Sequence, residues 1–143
     1  MGAVVNMRPD LFKAVVAEVP FVDVLSTILD PKLRFSTQEY QQWGNPNEKA
    51  AYDYIASYSP YDNVKRQSYP SILAVGGLYD SRVNYWEPAK WVALLREKNQ
   101  SDAAILLRTQ MGAGHRGSSG RYGKYKERAE IQAYVIKTLG VEK

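Results

Sequence analysis

The chain has 143 residues, of which 45% are hydrophobic, and this is the size and composition of one ordinary globular domain. It contains no cysteine and one histidine, which excludes disulfides, thiolate catalysis and the usual zinc sites, so we expect no metal and no cofactor. The net charge is +4, no signal pattern opens the chain, and no apolar run reaches the roughly 18 residues of a membrane span. We therefore expect a cytoplasmic protein without a membrane partner.

The first half of the chain predicts one strand and one helix. Residues Ala14 to Val19 form a β-branched apolar run that Pro20 closes, which is typical of a buried strand. Residues 32–46 are polar and aromatic and end in Trp-Gly-Asn-Pro, a composition that predicts a loop. A helix is expected from Glu48 to Tyr58.

The second half predicts two more strands that alternate with helices. The strands are expected at Ser71 to Val75 and at Ala103 to Leu107, and the helices at Pro88 to Lys98 and at Lys124 to Leu139. Alternation of strands and helices predicts an α/β protein with a small parallel sheet flanked by helices. A parallel sheet of three strands would leave at least one edge bare.

Two side chains follow neighbouring strands of the predicted sheet. Asp80 stands in Gly-Leu-Tyr-Asp-Ser-Arg-Val, and His115 stands in Gly-Ala-Gly-His-Arg-Gly. Because ligands bind beyond the carboxyl ends of parallel strands, we expect both side chains at one rim of the sheet. An aspartate bonded to an imidazole fixes its tautomer, so the pair predicts the acid and base of a Ser-Asp-His triad, although a turn aspartate and a surface histidine remain the alternative. The chain has no Gly-x-Ser-x-Gly motif to supply the serine.

Four longer motifs resemble one family. They are Pro20-Phe-Val-Asp-Val24, Trp43-Gly-Asn-Pro46, Tyr58-Ser-Pro-Tyr-Asp-Asn-Val64 and Tyr85-Trp-Glu-Pro-Ala-Lys-Trp91. In order and spacing they resemble the C-terminal catalytic region of oligopeptidase B, the trypsin-like branch of the prolyl oligopeptidase family of serine peptidases. The resemblance covers nearly the whole chain. It implies that residues 1–143 are the C-terminal portion of an α/β-hydrolase domain, without the nucleophile elbow and without the β-propeller of the full family protein.

The resemblance also implies roles for individual residues. Asp80 matches the triad acid and His115 the triad base. Glu39 matches one of two acidic positions that hold a basic substrate side chain, but the second position is Gln41 here, which weakens the case for strong selectivity. Arg82 matches a position where an arginine holds a substrate backbone carbonyl in prolyl oligopeptidases. The implied reaction is hydrolysis of short peptides after Arg or Lys through an acyl-enzyme.

Other functions remain open at this point. Without a nucleophile the chain alone is expected to be inactive. It is then a hydrolase by descent, present as a fragment or as one piece of a split enzyme, or it is a non-enzymatic module whose bare sheet edge binds a partner. One candidate for that partner is the missing N-terminal part of the same enzyme. A basic cluster would allow nucleic-acid binding, but a solvated loop and helix start explain it better, so we expect no nucleic-acid partner. The cluster comprises Arg116, Arg121, Lys124, Lys126 and Arg128.

Overall fold

The computed structural model describes residues 1–33 and 36–141. For residues 36 and 37 it describes the backbone alone. Its helices in chain order are α1 (Gly2–Met7), α2 (Val24–Leu29), α3 (Ser36–Trp43), α4 (Lys49–Tyr58), α5 (Trp86–Lys98) and α6 (Arg121–Leu139). Its strands are β1 (Ala14–Glu18), β2 (Ser71–Gly77) and β3 (Ile105–Gln110). A short 3-10 turn (Pro9–Leu11) separates α1 from β1.

The three strands form one parallel sheet in the order β1-β2-β3. In its register Val15 lies beside Ile72, and Ile72 lies beside Ile105. The central strand β2 is buried at every position from Ile72 to Gly77. A continuous apolar strand is typical of a parallel sheet that helices cover on both faces. The predicted α/β class, with a small parallel sheet flanked by helices, is therefore confirmed.

Helix α5 covers one face of the sheet. Ile72 and Ala74 of β2 lie in the same core cluster as Trp91, Val92 and Leu95 of α5. The three α5 residues are at most 1% exposed. Since these residues recur at helical spacing, they form the apolar stripe that anchors α5 and thereby fixes the segment between β2 and α5.

Helix α6 covers the other face, because successive side chains of a strand point to opposite sides. Leu73 and Val75 of β2 pack with Ile131, and Tyr134 lies against the same cluster. Leu139 is 49% exposed, so the packing of this helix against the sheet ends before the helix does. Within residues 1–33 and 36–141, no helix has both the length and the apolar character that crossing a membrane requires.

The prediction of a loop over residues 32–46 is wrong in part, since residues Ser36–Trp43 form α3. Residues 34 and 35, which the prediction also covers, lie outside the described residues. Tyr40 of α3 packs against a second core cluster that includes Ile28 of α2 and Ile55 of α4. Tertiary packing therefore stabilises a helix whose own composition is polar, and intrinsic propensity gives little signal for it.

Several predicted boundaries also shift. Strand β3 begins at Ile105 and ends at Gln110, both later than predicted, because its pairing with β2 continues up to Gly77. Helices α5 and α6 begin earlier than predicted, at Trp86 and Arg121. The later end of β3 matters for function, since it places the following loop beside the end of β2.

Candidate active site

Asp80 lies just beyond β2 and is 4% exposed. Its Oδ1 accepts hydrogen bonds from the backbone N–H groups of Arg82 (2.8 Å) and Val83 (2.9 Å). An aspartate whose carboxylate accepts the backbone N–H groups of the next residues forms an Asx-turn. The turn therefore fixes the carboxylate through Oδ1 and leaves Oδ2 for a partner outside the turn.

That partner is His115, in the loop between β3 and α6. Its Nδ1 lies 2.9 Å from Oδ2 of Asp80, and its side chain is 32% exposed. An ionised carboxylate only accepts hydrogen bonds, so Nδ1 carries the proton of the neutral imidazole. Nε2 is then the basic nitrogen. The structure thus brings together the two residues for which the sequence predicts an acid and a base.

Backbone contacts hold the two loops against each other. Leu78 donates its N–H to the carbonyl of Gln110, and Tyr79 donates to the carbonyl of Ala113, each at 3.0 Å. Gly77 lies so close to the second loop that a Cβ there would stand 2.5 Å from the carbonyl oxygen of Ala113. A glycine at position 77 is therefore required by close backbone approach.

A cavity of about 170 Å³ opens beside His115. Val19, Gly76 and Glu127 also line it. Val19 has a φ of 43°, the one non-glycine residue with positive φ in the described part of the chain. A β-branched residue in this region of backbone space is strained, so strand β1 leaves the sheet through a costly turn next to His115.

Glu39 lies on α3, outside the Asp80–His115 pair. Its Oε2 accepts a hydrogen bond from the indole Nε1–H of Trp43 at 2.7 Å. The Trp43 ring lies 6.0 Å from the ring of Phe21 and 6.4 Å from that of Tyr58, between centroids. Among the residues described, no hydrogen bond joins Glu39 to Asp80 or His115. Glu39 therefore belongs to a separate aromatic group, in which one of its carboxylate oxygens is hydrogen-bonded.

Arg82 lies on the same turn as Asp80, and its side chain is exposed at the rim. Gln41 is exposed on α3. Where the structure describes the chain, no three or more His, Asp or Glu side chains are grouped to hold a metal ion.

Glu87 is a buried acid that the sequence reasoning missed. It is 0% exposed, and its Oε2 accepts the backbone N–H groups of Val22 (3.0 Å) and Asp23 (3.1 Å). Its Oε1 accepts the hydroxyl of Thr27 at 2.9 Å, and burial raises the pKa of its carboxyl group above the ordinary value. The sequence held one signal that Glu87 is buried: it lies four residues before Trp91, and residues four apart share one face of a helix.

Asp23, beside Glu87, is 2% exposed and pairs with Lys90 of α5, with Oδ2 and Nζ 2.5 Å apart. This hydrogen bond raises the pKa of Lys90. The segment after β1 is thus fastened to α5 by two buried carboxylates.

The family of the chain follows from comparison with known proteins. Residues 1–142 match the family described as "Prolyl oligopeptidase family". The chain belongs to the prolyl oligopeptidase family. It is 52% identical to dipeptidyl aminopeptidase BI of Pseudoxanthomonas mexicana over 99% of this chain and 20% of that protein. It is 48% identical to protease 2 of Moraxella lacunata over 99% of this chain and 21% of that protein.

Solved structures of the prolyl oligopeptidase family agree with the fold. Oligopeptidase B from Leishmania major matches with a TM-score of 0.96 and 54% identity, over 98% of this chain and 19% of that one. Oligopeptidase B from Trypanosoma brucei with covalently bound antipain matches with a TM-score of 0.96 and 49% identity, over 99% of this chain and 20% of that one. The chain therefore spans about a fifth of the length of these relatives. Its sheet and helices are a portion of an α/β-hydrolase fold.

Proposed function

We propose that this chain supplies the acid and the base of a serine-peptidase triad, Asp80 and His115, whose serine is contributed by polypeptide outside these 143 residues. The contact of 2.9 Å between Nδ1 and Oδ2 carries the proposal. Membership of the prolyl oligopeptidase family supports it. In α/β hydrolases the triad follows the chain order Ser, Asp, His, which the order of Asp80 and His115 fits.

In this mechanism His115 moves protons while Asp80 stays ionised. Nε2 takes the serine hydroxyl proton as the serine oxygen bonds to the peptide carbonyl carbon. The imidazolium gives that proton to the leaving amine as the C–N bond breaks, which leaves an acyl-enzyme. Water then attacks the ester and gives a proton to Nε2. The serine oxygen takes that proton back as the acid product leaves.

We further propose that Glu39 binds a basic substrate side chain. Trp43 fixes Oε2 of Glu39, so the carboxylate has a defined orientation at little further cost on binding. The nearby rings of Phe21 and Tyr58 offer aromatic surface to the stem or the cationic head of an Arg or Lys. Because position 41 is a neutral Gln, we expect a preference for basic residues that is weaker than two carboxylates would give.

The chain alone is expected to show no peptidase activity. Removing the nucleophile from a working triad costs on the order of 10⁶ in turnover. The measurement is hydrolysis of a fluorogenic arginine amide by the purified chain. Turnover that disappears in His115→Ala would contradict the proposal, since it would show a nucleophile within the chain.

A chimera tests the proposed role directly. Residues 1–143 would replace the matching fifth of protease 2 from Moraxella lacunata, which is 48% identical over the exchanged part. We expect the chimera to cleave arginine amides and His115→Ala to abolish cleavage. Asp53→Ala is the control, because Asp53 lies in an exposed pair with Lys49 on α4 and should leave turnover unchanged. A folded, active chimera that is indifferent to His115→Ala would refute the role.

A second candidate function is assembly with another polypeptide along strand β1. In the sheet of the described residues β1 is an edge strand, and an edge strand offers unpaired backbone groups to a further strand. Mixing the chain with the remaining four fifths of protease 2 tests this idea. Recovered turnover supports a split enzyme, whereas no association between the two pieces argues against it.

A further inference from the structure

The loop that carries His115 is rich in glycine, so its conformation depends on what holds it. Glycines at 112, 114, 117 and 120 lie between β3 and α6. The first half of the loop is held by Tyr79, whose N–H donates to the carbonyl of Ala113. Beyond His115 the loop closes a local turn, in which the N–H of Gly117 donates to the carbonyl of Gly114 at 3.1 Å. A local turn does not by itself fix the loop relative to the sheet.

Glu127 of α6 supplies the missing anchor. Its Oε1 accepts the backbone N–H of Ser118 at 2.6 Å. Its Oε2 fills the space beside Gly117, where an added Cβ would lie 2.7 Å away and where φ is 75°. A hydrogen bond to an ionised carboxylate is short and about twice as strong as a neutral one. One oxygen of this carboxylate therefore bonds the loop that follows His115, and the other lies beside Gly117 of the same loop.

The anchor is connected to the sheet. Ile131 lies one helical turn after Glu127 and packs, 8% exposed, against Leu73 and Val75 of β2. A continuous series of contacts thus runs from β2 through α6 to the Ser118 amide and the His115 loop. Since β2 also leads into Asp80, the acid and the base are positioned from the same strand.

Glu127 bonds the Ser118 amide although cationic side chains lie nearby. The cationic side chains of Arg116, Lys124 and Arg128 line the same neighbouring cavity as Glu127. Within residues 1–33 and 36–141, however, Glu127 forms no ion pair, and its carboxylate bonds a backbone amide instead. The described contact of this carboxylate is therefore with the loop that follows His115 rather than with these cations.

We propose that Glu127 is a positioning residue that keeps the His115 imidazole in place against Asp80 by holding the Ser118 amide. This inference rests on the proposed function, since positioning matters to catalysis only if His115 is the base. The role differs from general support of α6, because it predicts an effect on the His115–Asp80 hydrogen bond while the fold is intact.

The test is NMR spectroscopy of the complete chain, in which the one histidine gives an unambiguous imidazole signal. Glu127→Ala should speed hydrogen exchange of the Ser118 amide by about tenfold or more and broaden or abolish the His115 Nδ1 proton signal. Glu127→Gln keeps an acceptor oxygen and should retain most of both signals. Glu130→Ala is the matched control, because Glu130 lies on the same helix but pairs with Arg108 of β3.

Two results would overturn the proposal. One is an unchanged His115 signal in folded Glu127→Ala, and the other is an equal loss in Glu130→Ala. If Glu127→Ala does not fold, Glu127→Met replaces it, since Met fills a similar space without an acceptor. In the active chimera Glu127→Ala, or Glu127→Met in its place, should lower kcat about tenfold and leave KM unchanged, whereas Glu130→Ala should change neither. A chimera inactive in every form would contradict the proposed function, whereas a normal His115 signal without Glu127 would contradict this inference alone.

Discussion

Asp80 and Glu87 stand near the two ends of the segment that joins β2 to α5, and both are buried carboxylates that accept hydrogen bonds from three groups. Their partners differ. Asp80 receives two amides of its own turn and then an imidazole that is 32% exposed. Glu87 receives two amides and a hydroxyl of the segment after β1, all of them buried.

The comparison separates the acid that we propose for catalysis from a structural one. Burial and complete hydrogen bonding are common to both residues, so neither property identifies a catalytic group. What distinguishes Asp80 is a partner that can exchange protons with solvent or substrate. Glu87 joins elements far apart in sequence and fixes the far end of the segment on which Asp80 is positioned.

The largest expected effect comes from Asp80→Asn. The amide oxygen should stay with the N–H groups of Arg82 and Val83, which turns the NH₂ group towards Nδ1 of His115. The imidazole proton then moves to Nε2, where it blocks the base. In the chimera we expect kcat/KM to fall on the order of 10⁴-fold, with little change in stability. A loss below tenfold would place the acid elsewhere.

Glu87→Ala should instead affect stability. It leaves the buried N–H groups of Val22 and Asp23 without an acceptor, and we expect a loss of about 3 kcal/mol in the free energy of unfolding. Glu87→Gln is the control, because its amide can accept both N–H groups and donate to Thr27. Urea unfolding of the three proteins measures the difference. Equal stability of all three would show that Glu87 does not fasten the segment.

Glu39→Gln should alter selectivity more than rate. Removing the carboxylate charge is expected to lower the preference for arginine over a neutral side chain about tenfold, a difference of about 1.4 kcal/mol. The ratio of kcat/KM values for arginine and norleucine amides in the chimera measures it. Trp43→Phe removes the indole donor but keeps a ring, so it should give a smaller change in the same direction. An unchanged ratio in Glu39→Gln would exclude Glu39 from substrate binding.

The smallest expected effect is a pH dependence of stability. Because burial raises the pKa of Glu87, the folded state favours its protonated form. The stability that this group contributes is greatest below the ordinary carboxyl pKa and is lost as the pH rises through the raised value. The stability of the wild-type chain relative to Glu87→Gln should therefore fall with rising pH, by less than about 1.4 kcal/mol per pH unit. A constant or rising difference would contradict the assigned direction.

The rim of the sheet could be predicted from sequence because the apolar pattern of a strand is local. Asp80 and His115 each follow a recognisable strand, and parallel pairing brings such positions together. Helix α3, which carries Glu39, could not be predicted, since Tyr40 gains its stabilisation from packing against α2 and α4. The contacts of Glu87 and Glu127 likewise depend on tertiary structure, and a charged residue in a helix gives no local sign of its partner.

The tautomer of His115 tests the central claim most directly. Nitrogen-15 NMR of the one imidazole shows which ring nitrogen carries the proton in the wild-type chain and in Asp80→Asn. For the neutral form of the ring, we predict the proton at Nδ1 in the wild type and at Nε2 in the variant. A mixed tautomer that is the same in both proteins would contradict the account, because Asp80 would then not orient His115.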